Sequence, residues 1–133
     1  MVTGFNHLTL TVSELDRSFD FYVRLLDFKP EGRWHRGAYL SSGDLWLCLS
    51  LGLASPANDY THYAFSVEQG KFNDAVSRLV DAGVITWKKN TSQGLSYYFL
   101  DPDGHKLELH CGGLSDRLKS IQSNPYSGWE NLS

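Results

Sequence analysis

Residues 5–12, Phe-Asn-His-Leu-Thr-Leu-Thr-Val, alternate in character over the length of one strand. Asn6, Leu8, Leu10 and Val12 share one face; Phe5, His7, Thr9 and Thr11 share the other. That second face is too polar for a core and too uncharged for open water. Ser13 then stands where an N-cap is expected, with Glu14 and Asp16 in the first turn, where acids suit the helix dipole. Leu15, Phe19, Tyr22 and Leu26 step at helical spacing and predict an amphipathic helix over 14–27. Pro30 and Gly32 break the pattern, and strand-like runs follow around 29–36, 38–42 and 45–51, with turns at Gly37 and at Ser42-Gly43-Asp44.

After a linker-like stretch from Gly52 to Asp59, the same order begins again. Tyr60 to Val67 alternates, with Tyr60, His62, Ala64 and Ser66 on one face. Phe72, Val76, Leu79 and Val80 form the stripe of a second helix, and Gly83 sits where its left-handed C-terminal residue belongs. Strand-like runs return at 84–89, 95–100 and 105–111, the last two joined by the turn Asp101-Pro102-Asp103-Gly104. Two βαβββ modules, about 2–52 and about 59–112, are the economical reading: an α+β chain whose sheets must each close on a partner module. Leu114, Leu118 and Ile121 predict a short helix over about 114–122, so one domain over 1–126 is expected, followed by a tail at 127–133.

The repeat draws attention to chemistry. His7 and His62 are each the third residue of their alternating runs, and in the strand from His105 to His110 the residues Lys106, Glu108 and His110 share a face. His7, His62 and Glu108 are therefore candidate ligands of a divalent metal, with positions left open for substrate. The competing reading makes each histidine a satisfied or surface residue and Glu108 an edge charge. The symmetric placement of the histidines favours the metal. Leu47 and Cys48, the counterparts of Glu108 in the first module, offer no hard ligand. His35, His105 and His110 have no such pairing and are expected to be exposed or structural.

A formal charge of −3 argues against a nucleic-acid partner, so any anion site must be local. Lys88, Ser92, Ser96, Tyr98 and Arg117 offer a compact cation, hydroxyl donors and a guanidinium fork, a set that suits a tetrahedral oxyanion such as phosphate or phosphonate. The competing readings are a solvated strand end, turn-forming serines and a packing tyrosine. No apolar run approaches a membrane span and no signal-like segment opens the sequence, so a cytoplasmic protein without membrane contact is expected. Cys48 and Cys111 are expected as buried free thiols in a reducing compartment.

Several segments closely resemble the manganese-dependent fosfomycin glutathione transferases, the A-type fosfomycin resistance proteins of the vicinal oxygen chelate (glyoxalase/bleomycin resistance) superfamily. They include Asn6-His7-Leu8-Thr9-Leu10, Gly37-Ala38-Tyr39-Leu40, Gly43 to Ser50, Asp59-Tyr60-Thr61-His62-Tyr63-Ala64-Phe65, Tyr98 to His110 and Arg117-Leu118. The resemblance implies paired modules in a domain-swapped homodimer, His7 of one subunit joining His62 and Glu108 of the other around Mn²⁺. It further implies that Thr9 hydrogen-bonds the developing oxyanion of the epoxide, and that Lys88, Ser92, Ser96, Tyr98 and Arg117 hold the phosphonate of fosfomycin. Asn90, Ser92, Gly94 and Ser96 would form a K⁺-binding loop, and Tyr39, Trp46 and Cys48 would line the approach of glutathione. The sequence departs from the family pattern in a shorter linker after Leu51, in Gln93 and Leu95 of the loop, and in Cys111. A glyoxalase or ring-cleaving dioxygenase using the same triad, or a non-enzymatic drug-binding protein, are the rival readings.

Overall fold

The computed structural model describes residues 1–133. The first module is β1 (His7–Val12), α1 (Leu15–Asp20) running on as a π-helical turn (Phe21–Leu25), β2 (Lys29–Trp34), β3 (Gly37–Ser42) and β4 (Leu45–Leu51). The second is β5 (Tyr63–Ser66), a 3-10 turn at Gln69–Lys71, α2 (Phe72–Asp81), β6 (Thr86–Lys88), β7 (Ser96–Leu100) and β8 (Lys106–His110); α3 (Leu114–Ser123) follows. Each module makes one four-stranded sheet, ordered β1-β4-β3-β2 and β5-β8-β7-β6. In both, the first strand runs parallel to the last and the other pairings are antiparallel. The repeated α+β topology read from the sequence is therefore present. No helix is long and apolar enough to cross a membrane.

The alternation places the core. Leu8, Leu10 and Val12 of β1 are buried, whereas His7 and Thr9 are exposed. Leu47 and Leu49 of β4, Ala38 and Leu40 of β3, and Tyr22 complete the first module's interior. Phe72, Leu79, Phe99, Leu107 and Leu109 do the same in the second, and all belong to one cluster. Gly83 has φ +74°, and the Val84 N–H reaches the Leu79 carbonyl, the C-terminal arrangement that only a residue without a Cβ adopts cheaply.

Polar contacts join the modules within the chain. Ser13 does not cap α1. Its N–H donates to both carboxylate oxygens of Asp103 (3.2 and 3.1 Å), its hydroxyl donates to the same group, and Glu14 takes the N-cap position. A fixed carboxylate from the other module outcompetes the local bond. His105 donates from Nε2 to the Thr11 carbonyl (2.7 Å), the structural role expected for it. The Tyr22 hydroxyl donates to buried Asp101 (2.7 Å), which also accepts from the N–H groups of Asp103 and His105.

Burial pushes the Asp101 carboxyl above its usual range, while the Tyr22 bond acts in the opposite sense. Asp101 thus favours folding most when protonated, and that contribution falls as pH rises through its folded pKa. The Tyr22 bond offsets the fall. Tyr22→Phe is expected to destabilise the chain by about 1.5–3 kcal/mol at neutral pH, less at acidic pH where the carboxyl is protonated. Urea melts of the two proteins at several pH values check it.

Three further sequence expectations need correction. The first helix spans fewer residues than 14–27, because Asp27 turns out of it at φ +58°. The run from Tyr60 to Val67 is strand only over β5, so His62 precedes it. Cys48 and Cys111 are free, as expected, but half-buried rather than buried.

Candidate functional site

Register turns the repeat into a site. In the first sheet Tyr39, Cys48 and Thr9 stand in one cross-strand row, and Ser41, Trp46 and His7 in the next. In the second sheet the corresponding row is Lys88, Tyr98, Glu108 and Ala64, with Ser96 and His110 paired beside it. Cys48 is thus the register counterpart of Glu108, since Thr9 and Ala64 each lie two residues beyond their histidine. Of the residues singled out from sequence, those carried by strands fall on the sheet faces turned away from the apolar core. His7, Thr9, Tyr39, Trp46 and Cys48 lie on the first; Lys88, Ser96, Tyr98 and Glu108 lie on the second, beside His62.

The two histidines are held alike. Asn6 Oδ1 lies 2.7 Å from Nδ1 of His7, and the Tyr60 carbonyl lies 2.8 Å from Nδ1 of His62. A carbonyl oxygen only accepts, so Nδ1 carries the proton and Nε2 is left to act outward, as outer partners of metal-bound histidines require. Nε2 of His62 stands 3.0 Å from Oε1 of Glu108, which is buried. A ring lone pair and a carboxylate oxygen at that distance repel unless positive charge lies between them: a second proton on the ring or a metal ion. The donor set, imidazole nitrogen with carboxylate oxygen, fits a divalent first-row metal. His7 is not part of this pair. Within one chain no group of three His, Cys, Asp or Glu side chains converges. Instead His7 packs on Trp46, ring centroids 4.4 Å apart, and Trp46 packs edge-on to Tyr39.

The cationic part is partly assembled. Lys88 donates to the Tyr60 hydroxyl (2.6 Å) and lies over the rings of Tyr60 and Tyr98. The bond to Tyr60 holds its ammonium above the usual lysine range, so it stays charged. A cleft of ≈ 500 Å³ brings Lys88, Asn90, Ser96 and Tyr98 together with Trp87. A larger cavity of ≈ 820 Å³ lies between the modules, lined by Phe28, Phe65, Lys71, Arg78 and Leu109 among others, and holds none of the residues singled out. Its Arg78 is already paired with Asp27 (2.8 Å). Arg117 reaches the Tyr126 hydroxyl and the Gln93 carbonyl, and its buried Nε has no partner. An unpartnered buried guanidinium nitrogen is the kind of group an oxyanion satisfies.

The loop is tied by one side chain. Asn90 Oδ1 accepts from the N–H and hydroxyl of Ser92 (3.0 and 2.8 Å), and its Nδ2 donates to the Gly94 carbonyl (3.0 Å). Gly94, at φ +87°, makes the turn. Ser96 is not turned toward the cleft alone: its hydroxyl donates to Oε2 of Glu108 (2.7 Å).

Four contributors escaped sequence reasoning. Asn6 and Tyr60 orient the histidines, Trp87 packs against Tyr60, His62 and Tyr98, and His110 contacts Ser96. Period-two alternation already placed Tyr60 with His62 and His110 with Glu108; no comparable signal marked Trp87.

Residues 4–109 match the model of the Glyoxalase/Bleomycin resistance protein/Dioxygenase superfamily. The chain is 50% identical to the glutathione transferase FosA of Serratia marcescens, over 96% of this chain and 94% of that one. It is 37% identical to the metallothiol transferase FosB of Shouchella clausii, covering 89% and 86% of the two chains. Its backbone superposes with a TM-score of 0.82 on a FosX mutant of Listeria monocytogenes crystallised with Mn(II) and 1S,2S-dihydroxypropylphosphonic acid. That match covers 91% of this chain and 99% of the other, at 28% identity.

Proposed function

The chain belongs to the glyoxalase/bleomycin resistance protein/dioxygenase superfamily and, within it, to the fosfomycin resistance transferases; we propose that it is a metal-dependent glutathione transferase that opens the epoxide of fosfomycin. The observation that carries this reading is the row Lys88–Tyr98–Glu108 beside His62. It sets a cation, a phenol and a candidate metal-binding carboxylate side by side, which an anionic epoxide needs and a glyoxalase or dioxygenase substrate does not.

His62 and Glu108 would hold Mn²⁺ together with His7 of a second copy. The reading of a domain-swapped homodimer with shared sites rests on the separation of His7 from the other two and on the exposed aromatic residues around it, Tyr39 and Trp46. When bound, the metal polarises the epoxide oxygen as a Lewis acid. Thr9, on the open face beside Cys48, donates a hydrogen bond to that oxygen as the C–O bond breaks. Lys88, Tyr98 and Arg117 hold the phosphonate, with Ser92 and Ser96 lining the same region. This grip fixes the epoxide carbon for backside attack by the thiol of glutathione, which approaches past Tyr39, Trp46 and Cys48. Free Cys48 and Cys111 suit a reducing cytoplasm, where glutathione is abundant.

The test is glutathione addition to fosfomycin, followed by loss of free thiol and by phosphorus NMR. Turnover is expected with Mn²⁺, lost on chelation and regained on adding the metal back. Absence of adduct under all three conditions overturns the reading.

The Asn90–Ser96 loop would bind K⁺ through the oxygens of Asn90, Ser92, Gly94 and Ser96, raising the positive potential beside the phosphonate. Activity at constant ionic strength is expected to fall when K⁺ is replaced by Na⁺ or tetramethylammonium, since general screening depends on ionic strength alone. Asn90→Ala, which unties the loop, should remove the difference among the salts. Equal rates for the parent protein in all three would exclude the site.

A further inference from the structure

Glu108 is held from two sides. Oε1 faces His62, and Oε2 lies 2.7 Å from the Ser96 hydroxyl, which in turn lies 2.6 Å from Nδ1 of His110. Proton counting fixes the direction of this chain. A carboxylate only accepts, so the single hydroxyl proton of Ser96 goes to Glu108. The Ser96 oxygen then has only lone pairs to offer His110, so Nδ1 of His110 must be the donor. The direct separation of His110 Nδ1 from Oε2 is longer, 3.4 Å, which leaves Ser96 as the link. Ser96 and Glu108 are buried and His110 is half-buried, so water competes poorly for these bonds. Ser96 and His110 are also direct partners across β7 and β8, so the relay is set by sheet register rather than by a loop.

From this geometry we propose that His110 is a positioning residue for the metal site: its Nδ1–H donates to Ser96, Ser96 donates to Oε2 of Glu108, and the carboxylate is thereby fixed with Oε1 toward the metal. The proposal rests on the reading of Glu108 as a metal ligand. It gives Ser96 a duty apart from the phosphonate, because its one proton is committed to Glu108. It also gives the ring a second neighbour, since Gly94 of the loop packs against it: a Cβ built there would lie 3.5 Å from Cε1 of His110.

The experiment is titration of the metal-free protein with Mn²⁺, following free Mn²⁺ by electron paramagnetic resonance, for the parent chain and for His110→Leu, His110→Asn and His110→Gln. The carboxamide of Asn can place an N–H near the position of Nδ1, whereas that of Gln reaches the position of Nε2. His110→Leu and His110→Gln are expected to weaken Mn²⁺ binding about 10-fold, the lower end of the range for an outer partner of a metal ligand, because His110 acts through Ser96. His110→Asn is expected to restore most of it. Thermal melts of the metal-free variants report folding, and the Asn–Gln comparison separates a lost donor from a lost ring. Equal affinity in all four proteins, or equal weakening in Asn and Gln variants of parental stability, overturns the role of His110. If the parent chain itself binds no Mn²⁺, the metal reading fails instead.

Discussion

Glu108→Gln is expected to abolish thiol transfer to fosfomycin and leave a folded chain that no longer retains Mn²⁺. The substitution keeps the shape of the side chain and removes its charge. The loss in metal affinity should exceed the about 10–100-fold that follows removal of an outer partner, because a ligand itself is replaced by a weaker neutral one. The stability consequence has a definite sign. Glu108 is a buried carboxylate facing the Nε2 lone pair of His62; a Gln amide N–H donates where the carboxylate oxygen repels, while its carbonyl still accepts from Ser96. The metal-free melting temperature of Glu108→Gln should therefore equal or exceed that of the parent. His62→Ala should behave differently: it too abolishes turnover, but it removes the ring that packs on Tyr60, Trp87 and Tyr98, so its metal-free melting temperature should fall. Mn²⁺ titration, thermal melts and the transfer assay on the three proteins check both halves. Full activity in either variant would remove the metal site, and loss of the fold in Glu108→Gln would make the residue structural.

The modules were legible because one face of each strand is apolar at period two. In β1 the buried Leu8, Leu10 and Val12 alternate with exposed His7 and Thr9, and that contrast survives folding unchanged. Equivalence of the modules was legible for the same reason, down to Leu47 and Cys48 as the counterparts of Glu108; the register, with Cys48 beside Thr9 and Glu108 beside Ala64, selects Cys48. What failed to show was set by contacts distant in sequence. Ser13 looks like a helix cap until Asp103, from the other module, claims both its donors. His110 looks unpaired until the β7–β8 register sets it against Ser96. Trp87 carries no periodic signal, and only its packing on His62 and Tyr98 shows its place. The proposed meeting of His7 with His62 and Glu108 is not written in one chain at all, since it would require the open sheet faces of two copies to be brought together.

Arg117→Ala is expected to weaken fosfomycin binding by about 1.5–3 kcal/mol, the range for hydrogen bonds to charged groups, or roughly 10- to 150-fold in Kd. The argument starts from the donors left over. Of the guanidinium nitrogens, one reaches the Tyr126 hydroxyl at 3.2 Å and another the Gln93 carbonyl at 3.4 Å, while Nε is buried and makes no bond. A planar fork with a free edge matches two phosphonate oxygens, a match that a lysine ammonium reproduces as a point charge only. Arg117→Lys should therefore lie between Ala and the parent. Lys119, two residues on along α3 and exposed, is the control: it adds the same formal charge without the burial, so Lys119→Ala should change Kd by little, and only at low salt. Calorimetric titration of the Mn²⁺-loaded protein with fosfomycin measures all four. Equal and small losses from Arg117→Ala and Lys119→Ala would show that α3 contributes only diffuse charge, and would remove Arg117 from the phosphonate grip.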